Sequence, residues 1–270
     1  MAELVEKVDC PNCGAPLKIM AGEIVITCEY CGTAVNLKAE TPFVLKHSII
    51  PNTYSKEKIE KAVQSWMRSG FTMPGDISQK ALIVESRLVY LPFYVITAHA
   101  DTHYSGVFTR TGQNTPVTDT LSRDYTRTIM GRRSTHFPEQ EYKIPLSGKS
   151  SFDLSMVQGE FLHAELDEQE AIERGNQDIE QHQLYLIAEK VDIVDSHSTD
   201  ITVDSCEFLH APIWFVEYEY AGSSYSIVLD GATGEIITGD IPVQQSSFPR
   251  IWIAAGAVLI LLVFLLFFFT

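Results

Sequence analysis

The sequence predicts a three-part chain: an N-terminal ribbon closed by four cysteines, an α+β body of two helix-plus-antiparallel-sheet repeats, and a C-terminal single transmembrane helix. Three observations predict it. Two Cys-x2-Cys-Gly units, CPNCG at 10–14 and CEYCG at 28–32, stand fourteen residues apart. Two strand-like runs align on Pro92 and Pro212, and the run IWIAAGAVLILLVFLLFFF, residues 251–269, carries no charge. The boundaries that follow are 1–40 for the ribbon, 43–243 for the body (repeats at about 43–150 and 151–243), 244–250 for a juxtamembrane linker and 251–269 for the span.

A Cys-x2-Cys turn presents two thiolates to one ion, and the following glycine (Gly14, Gly32) lets the backbone turn tightly around the sulfurs. Two such turns close a tetrahedron, with Cys10, Cys13, Cys28 and Cys31 as ligands. Between them Leu17, Ile19, Ile24 and Ile26 alternate around Met20-Ala21-Gly22-Glu23, which reads as a hairpin, and Val35 and Leu37 supply a third short strand. The pattern is a zinc ribbon. Four sulfur ligands leave no open position for water or substrate, so the expected Zn2+ is structural. Iron in a rubredoxin-like site uses the same ligands, and a redox dithiol is a third option.

In the body, NTYSKEKIEKAVQSWMRSGF predicts a helix with Ser55 as N-cap, Ile59, Ala62, Val63, Trp66 and Met67 on one face, and Gly70 as the stop. A second helix starts at Asp167, where Asp167 and Glu170 make a capping-box-like pair, and runs to about Glu189 with Gly175 as a weak point. Each helix precedes a strand: one from Leu88 through YLPFYVITAHA, the other from Glu207 through HAPIWFVEYEY. Tyr94, Ile96, Ala98 and Ala100 match Trp214, Val216, Tyr218 and Tyr220 on one face; Thr97 and His99 match Glu217 and Glu219 on the other. The second repeat ends in the hairpin YSIVLDGATGEIITG, turning at Asp230, Gly231 and Gly234. Those glycines need only a backbone role, since no helix pattern follows to cradle a phosphate.

Residues 251–269 as a helix cover roughly 28 Å, about the thickness of a hydrocarbon core. No secretory h-region occupies the first thirty residues, so the expectation is a tail-anchored protein. Arg250 and Trp252 flank the near side of the run, which places the N-terminal body in the cytoplasm, at the cell membrane, as a single-pass protein. Cysteine usage agrees: four of the five lie in the knuckles, and Cys206 stands alone as a small hydrophobe rather than a reactive thiol.

The CPNCG ribbon, the YLPF and APIW strand starts and the VLDGATGEI hairpin resemble a broad prokaryotic group of zinc-ribbon membrane proteins, TFIIB-type in the ribbon and labelled after the primosomal replication helicase. The hairpin by itself resembles the end of a PepSY-type domain. The resemblance implies a place in membrane-stress and membrane-scaffold systems. It implies no helicase, because Gly-x-x-x-x-Gly-Lys-[Ser/Thr] occurs nowhere in the chain.

Gly-x-Ser-x-Gly, His-Glu-x-x-His and dinucleotide fingerprints are also missing, so no catalytic residue or small-molecule substrate is expected. His99, Asp101 and His103 would project from one face of a strand, an arrangement that suits either a surface metal site or a solvated sheet face. Arg123, Arg127, Arg132 and Arg133 form the one basic cluster, fit for anionic headgroups or for a solvated hairpin. The acidic run AELDEQEAIERGNQDIEQ reads as an exposed helix face, and the net charge of −15 argues against nucleic acid as a partner. The function expected is a non-enzymatic adaptor that holds a protein partner at the membrane. A tethered nucleic-acid module and a metal-dependent enzyme or metal carrier centred on His99, Asp101 and His103 are the alternatives.

Overall fold

In the computed structural model, residues 8–242 are described, apart from 39–42, 70–72, 110–111, 113 and 139–141. Short strands come first. β1 (Val8–Asp9) pairs with β2 (Pro16–Leu17), and β3 (Val25–Thr27), β4 (Ala34–Asn36) and β5 (Phe43–Leu45) form a three-stranded antiparallel sheet. The body follows as β6 (His47–Ile49), α1 (Lys56–Ser69), α2 (Ile77–Lys80), β7 (Leu82–Phe108), β8 (Thr115–Met130), β9 (Ser150–Ser151), β10 (Glu160–Phe161), α3 (Glu168–Lys190), β11 (Ile193–Tyr220), β12 (Ser223–Asp230) and β13 (Ile236–Gly239).

The expected fold needs correction. Two separate helix-plus-sheet units do not form; β7 and β11 are antiparallel neighbours along nearly their whole length and centre one eight-stranded sheet. Alternation in a sequence fixes which face a residue takes, not which strand lies beside it, so both repeats satisfied the pattern while sharing one sheet. The expected hairpin within the ribbon is corrected as well. Residues 16–17 pair with β1, and residues 25–27 with β4, so each cysteine knuckle is itself the tip of a hairpin. Among the described residues no helix is long and apolar enough to cross a membrane, and the run 251–269 lies outside them.

The repeat survives as an approximate twofold axis through the pair Leu91–Ala211. One step away, Pro92 faces His210 on one side and Pro212 faces Tyr90 on the other. β10 runs parallel to β7 at Val89 and Tyr90, and β6 runs parallel to β11 at Phe208 to His210. β8 then flanks β7, and β12 flanks β11. The N–H of Gly131 donates to Pro92 O, and that of Gly231 donates to Pro212 O, both at 2.8 Å. A Cβ at either glycine would press on its proline, at 3.2 Å for Gly131 and 2.9 Å for Gly231, which explains glycine at both positions.

Both long helices cover the same face, at opposite ends. Ile59, Val63 and Met67 of α1 bury against Leu88, Tyr90, Trp214, Val216 and Tyr218. Ala171 of α3 packs near Tyr94 and Ile96, and Ile179 packs on Ala98, Ala100 and Tyr125. Gly175 does not weaken α3: the helix is continuous, and a Cβ there would lie 2.7 Å from Ile96 Cδ1, so the glycine permits the close approach. Asp167 caps α3 by accepting the Glu170 N–H at 2.8 Å. The opposite face buries Val89, Leu91, Phe93, Leu209 and Ile213 beneath Phe137, Tyr142 and Leu146.

Candidate metal centre and its histidine clamp

The two knuckles repeat one geometry. Gly14 N–H donates to Cys10 O and Gly32 N–H to Cys28 O, at 2.8 and 2.9 Å, while Cys10 N–H reaches Ala15 O and Cys28 N–H reaches Thr33 O. Gly14 and Gly32 both take left-handed backbone, at φ of 72° and 71°. Each turn buries its first cysteine and leaves its second exposed. The four sulfurs lie within 4.8 Å of one another, with Cys10 Sγ to Cys31 Sγ at 3.7 Å and Cys13 Sγ to Cys28 Sγ at 3.8 Å.

Those distances test the fit of a metal. Metal–sulfur bonds of about 2.3 Å in a tetrahedron set the sulfurs about 3.8 Å apart, whereas disulfide partners stand at about 2.05 Å. Cys10, Cys13, Cys28 and Cys31 therefore form a site that can hold a metal ion. Before a metal binds, the thiols differ: burial opposes ionisation of Cys31, yet the Thr33 hydroxyl and amide and Asn12 outweigh it and lower the thiol. Burial raises Cys28, and at Cys13 the pull of the Ala15 amide is outweighed by burial and the neighbouring sulfurs, which raise it.

The site is clamped to the body. Ile24 and Val25 N–H both donate to Ala164 O, Lys38 Nζ pairs with Asp167 at 2.6 Å, and Thr27 N–H donates to His163 Nδ1 at 3.2 Å. A Cβ on Gly32 would lie 2.9 Å from the Phe152 ring, and that ring stacks on His47 at 4.0 Å. His47 Nε2 is 2.7 Å from His210 Nδ1, and His210 Nε2 is 2.9 Å from Leu162 O. The carbonyl requires His210 Nε2 to donate, so its Nδ1 accepts from His47. A neutral His47 then turns a bare Nδ1 toward Gly32 O, 3.4 Å away.

One added proton on the His47–His210 pair would complete this chain, and burial resists it. Desolvation pushes His47 down to about 3 against the pull of the Gly32 carbonyl, and pushes His210 well below its usual value, with His47 adding to the effect. His163 is lowered by burial too. The sequence reading missed all three histidines. A signal was present: Glu-Phe-Leu-His-Ala occurs at 160–164 and again at 207–211, and both copies bring their histidine to this clamp.

The other sequence candidates disperse. His99 has both ring nitrogens occupied, Nδ1 by Asp124 at 2.6 Å and Nε2 by Ser122 at 3.0 Å, and His103 Nδ1 meets Thr120 at 2.7 Å. His99 Nε2 also lies 3.4 Å from Asp101, but the three do not form a ligand group; among the described residues the grouped metal-ligating side chains are the four cysteines. Arg132 pairs with Glu165 at 2.8 Å, and Arg133 pairs with Glu170. Arg123 and Arg127 point elsewhere, over Tyr125. Burial, then Glu168 and Glu207, push Cys206 up to about 12, leaving an un-ionised thiol. Comparison with protein-family models, curated proteins and solved structures returns no match.

Proposed function

We propose that this protein is a non-enzymatic adaptor that holds a protein partner at a membrane, with its body facing the cytoplasm and its uncharged run 251–269 attaching it to the bilayer. The observation that carries this reading is the closed sulfur tetrahedron, whose four ligands leave no position for a substrate. Zinc is the metal proposed, held structurally by Cys10, Cys13, Cys28 and Cys31, since four-thiolate ribbons suit its tetrahedral preference. Internal pairing of Arg132 and Arg133, and the net charge of −15, favour protein over nucleic acid.

Elemental analysis of the purified full chain tests the metal: one zinc per chain supports the assignment, and iron replaces it. A crosslinked pull-down from native membranes, beside Cys28→Ser/Cys31→Ser, tests the role. A protein recovered only with the intact ribbon supports the adaptor. Turnover of a substrate by the purified protein, or recovery of nucleic acid in place of protein, sinks it.

A further inference from the structure

β8 is an edge strand. It pairs with β7 from Thr115 to Met130, and no described strand pairs with its other side. The bond from Gly131 N–H to Pro92 O fixes the phase of this ladder. Bonded and non-bonded pairs alternate between antiparallel strands, so Ile129, Arg127 and Tyr125 turn their backbone groups toward β7, and Thr128 and Thr126 turn theirs outward. Among the described residues nothing bonds to those outward groups. An open edge of this kind is a template for another strand.

The edge opens into a cleft of ≈ 1010 Å³, walled by Arg174 and His182 of α3 on one side and by Phe137 and Lys143 on the other. Its charge runs against that of the molecule. Among the described residues, Arg127 has a buried Nε with no partner, its guanidinium lies 4.8 Å from the Tyr125 ring centre, and no carboxylate pairs with Arg123, Arg127 or Lys143. Arg174 shares Glu170 with Arg133, and Asp178 is the acidic residue in the lining. Arg127 stands on the α3 face of the sheet with Tyr125 and Ile129, where alternate side chains of an added strand would meet it.

We propose that this cleft is a strand-addition site, where an extended peptide segment with acidic side chains at alternate positions pairs with Thr126 and Thr128 and directs its carboxylates along the α3 face at Arg127. The proposal rests on the adaptor reading and names the partner's chemistry. Main-chain bonds along β8 supply affinity, and Arg127 selects the side chains. Two β8 edges paired antiparallel about Tyr125 would set Arg123 of one against Arg127 of the other, which opposes a second copy in that register.

The test uses the full chain in detergent micelles and a labelled nine-residue probe of alternating valine and glutamate, with a valine–lysine probe as its counterpart. Thr128→Pro removes one outward N–H without costing a β7 bond, and proline is tolerated on sheet edges. The expected result is saturable binding of the glutamate probe, weakened about tenfold or more by Thr128→Pro and by Arg127→Glu, with Arg127→Glu now preferring the lysine probe. No saturable binding, or binding indifferent to Arg127→Glu, overturns the proposal, as does a dimer in light scattering that Thr128→Pro dissolves. If Thr128→Pro does not fold, the charge swap at Arg127 decides alone. In the pull-down, a partner lost with Cys28→Ser/Cys31→Ser but kept by Arg127→Glu removes the strand-addition site and leaves the adaptor standing; absence of any protein partner removes the adaptor, while the probe titration still decides the cleft.

Discussion

The two halves of the sheet use the same local geometry and finish it differently. On one side of the axis Pro92 receives Gly131, Tyr94 OH donates to Leu166 O, and among the described residues no strand covers the outer edge of β8. On the other Pro212 receives Gly231, Trp214 Nε1 donates to Asn52 Oδ1, and β12 is covered by β13 through the Asp230 turn. The four-cysteine ribbon leans on the first side, against Tyr94, Ile96 and Phe208. A duplicated frame can thus be covered by a further strand in one half and carry the four-cysteine ribbon in the other.

The largest effect expected separates the ribbon from the frame. Chelation, or Cys28→Ser/Cys31→Ser, should make residues 8–37 protease-sensitive, because the ribbon's own cluster is small, while β7 and β11 keep their amide-exchange protection. Uniform loss of protection would show that the frame depends on the metal.

Next comes the glycine pair. Gly231→Ala should destabilise by about 1–3 kcal/mol in denaturant titration, and Gly131→Ala by less, because the added methyl meets Asn52 and Pro212 within 3.0 Å but Ala164 and Pro92 only at 3.2 Å. Equal costs would mean that the two halves yield alike.

The third comparison is in pH. His210 has Tyr90 as its twofold counterpart, so the acid-sensitive groups belong to the ribbon side. Unfolded histidines take up protons as pH falls through about 6.5, whereas buried His47 and His210 stay neutral, so the unfolded state gains and stability drops below that pH. Exposed His99, raised by Asp124, acts weakly in the opposite sense. Thermal melts from pH 7.5 down to 5.5 should show the fall, and His47→Asn should flatten it; a flat wild-type profile would contradict the neutral pair.

The smallest effect belongs to the surface. Arg87 pairs with Glu160 at 3.5 Å with both side chains about half exposed, and Arg87→Ala should cost below about 0.5 kcal/mol. Its twofold counterpart, Glu207, pairs with the more sheltered Lys149, so Lys149→Ala should cost more.

The cysteine site was legible because ligand chemistry fixes residue type and spacing together: Cys-x2-Cys-Gly can be read without knowing what surrounds it. The repeat was legible at Pro92 and Pro212, but its meaning was not, since a strand's partner is chosen by long-range packing that alternation does not encode. Ribbon pairing was misread for a local reason: the bonds from Cys10 to Ala15 and from Cys28 to Thr33 make each knuckle a hairpin turn, which left Met20 to Glu23 as a connection rather than a strand turn. The histidine clamp was unreadable from single positions, because it gathers His47, His163 and His210 from separate strands and loops.

The central pairing also sets an order of events during synthesis. β7 meets β11 through contacts running from Val107–Ile193 to Leu82–Glu219, so the middle of the sheet cannot form until far more of the chain has been translated. At roughly 5–20 residues per second, β7 waits several seconds with β8 on one side and without its central neighbour on the other. The four cysteines of the ribbon, all within residues 10–31, are free to take up a metal ion during that delay. A nascent chain would carry a finished knob ahead of an unfinished sheet, and high contact order would make the closing of that sheet the slow step in maturation.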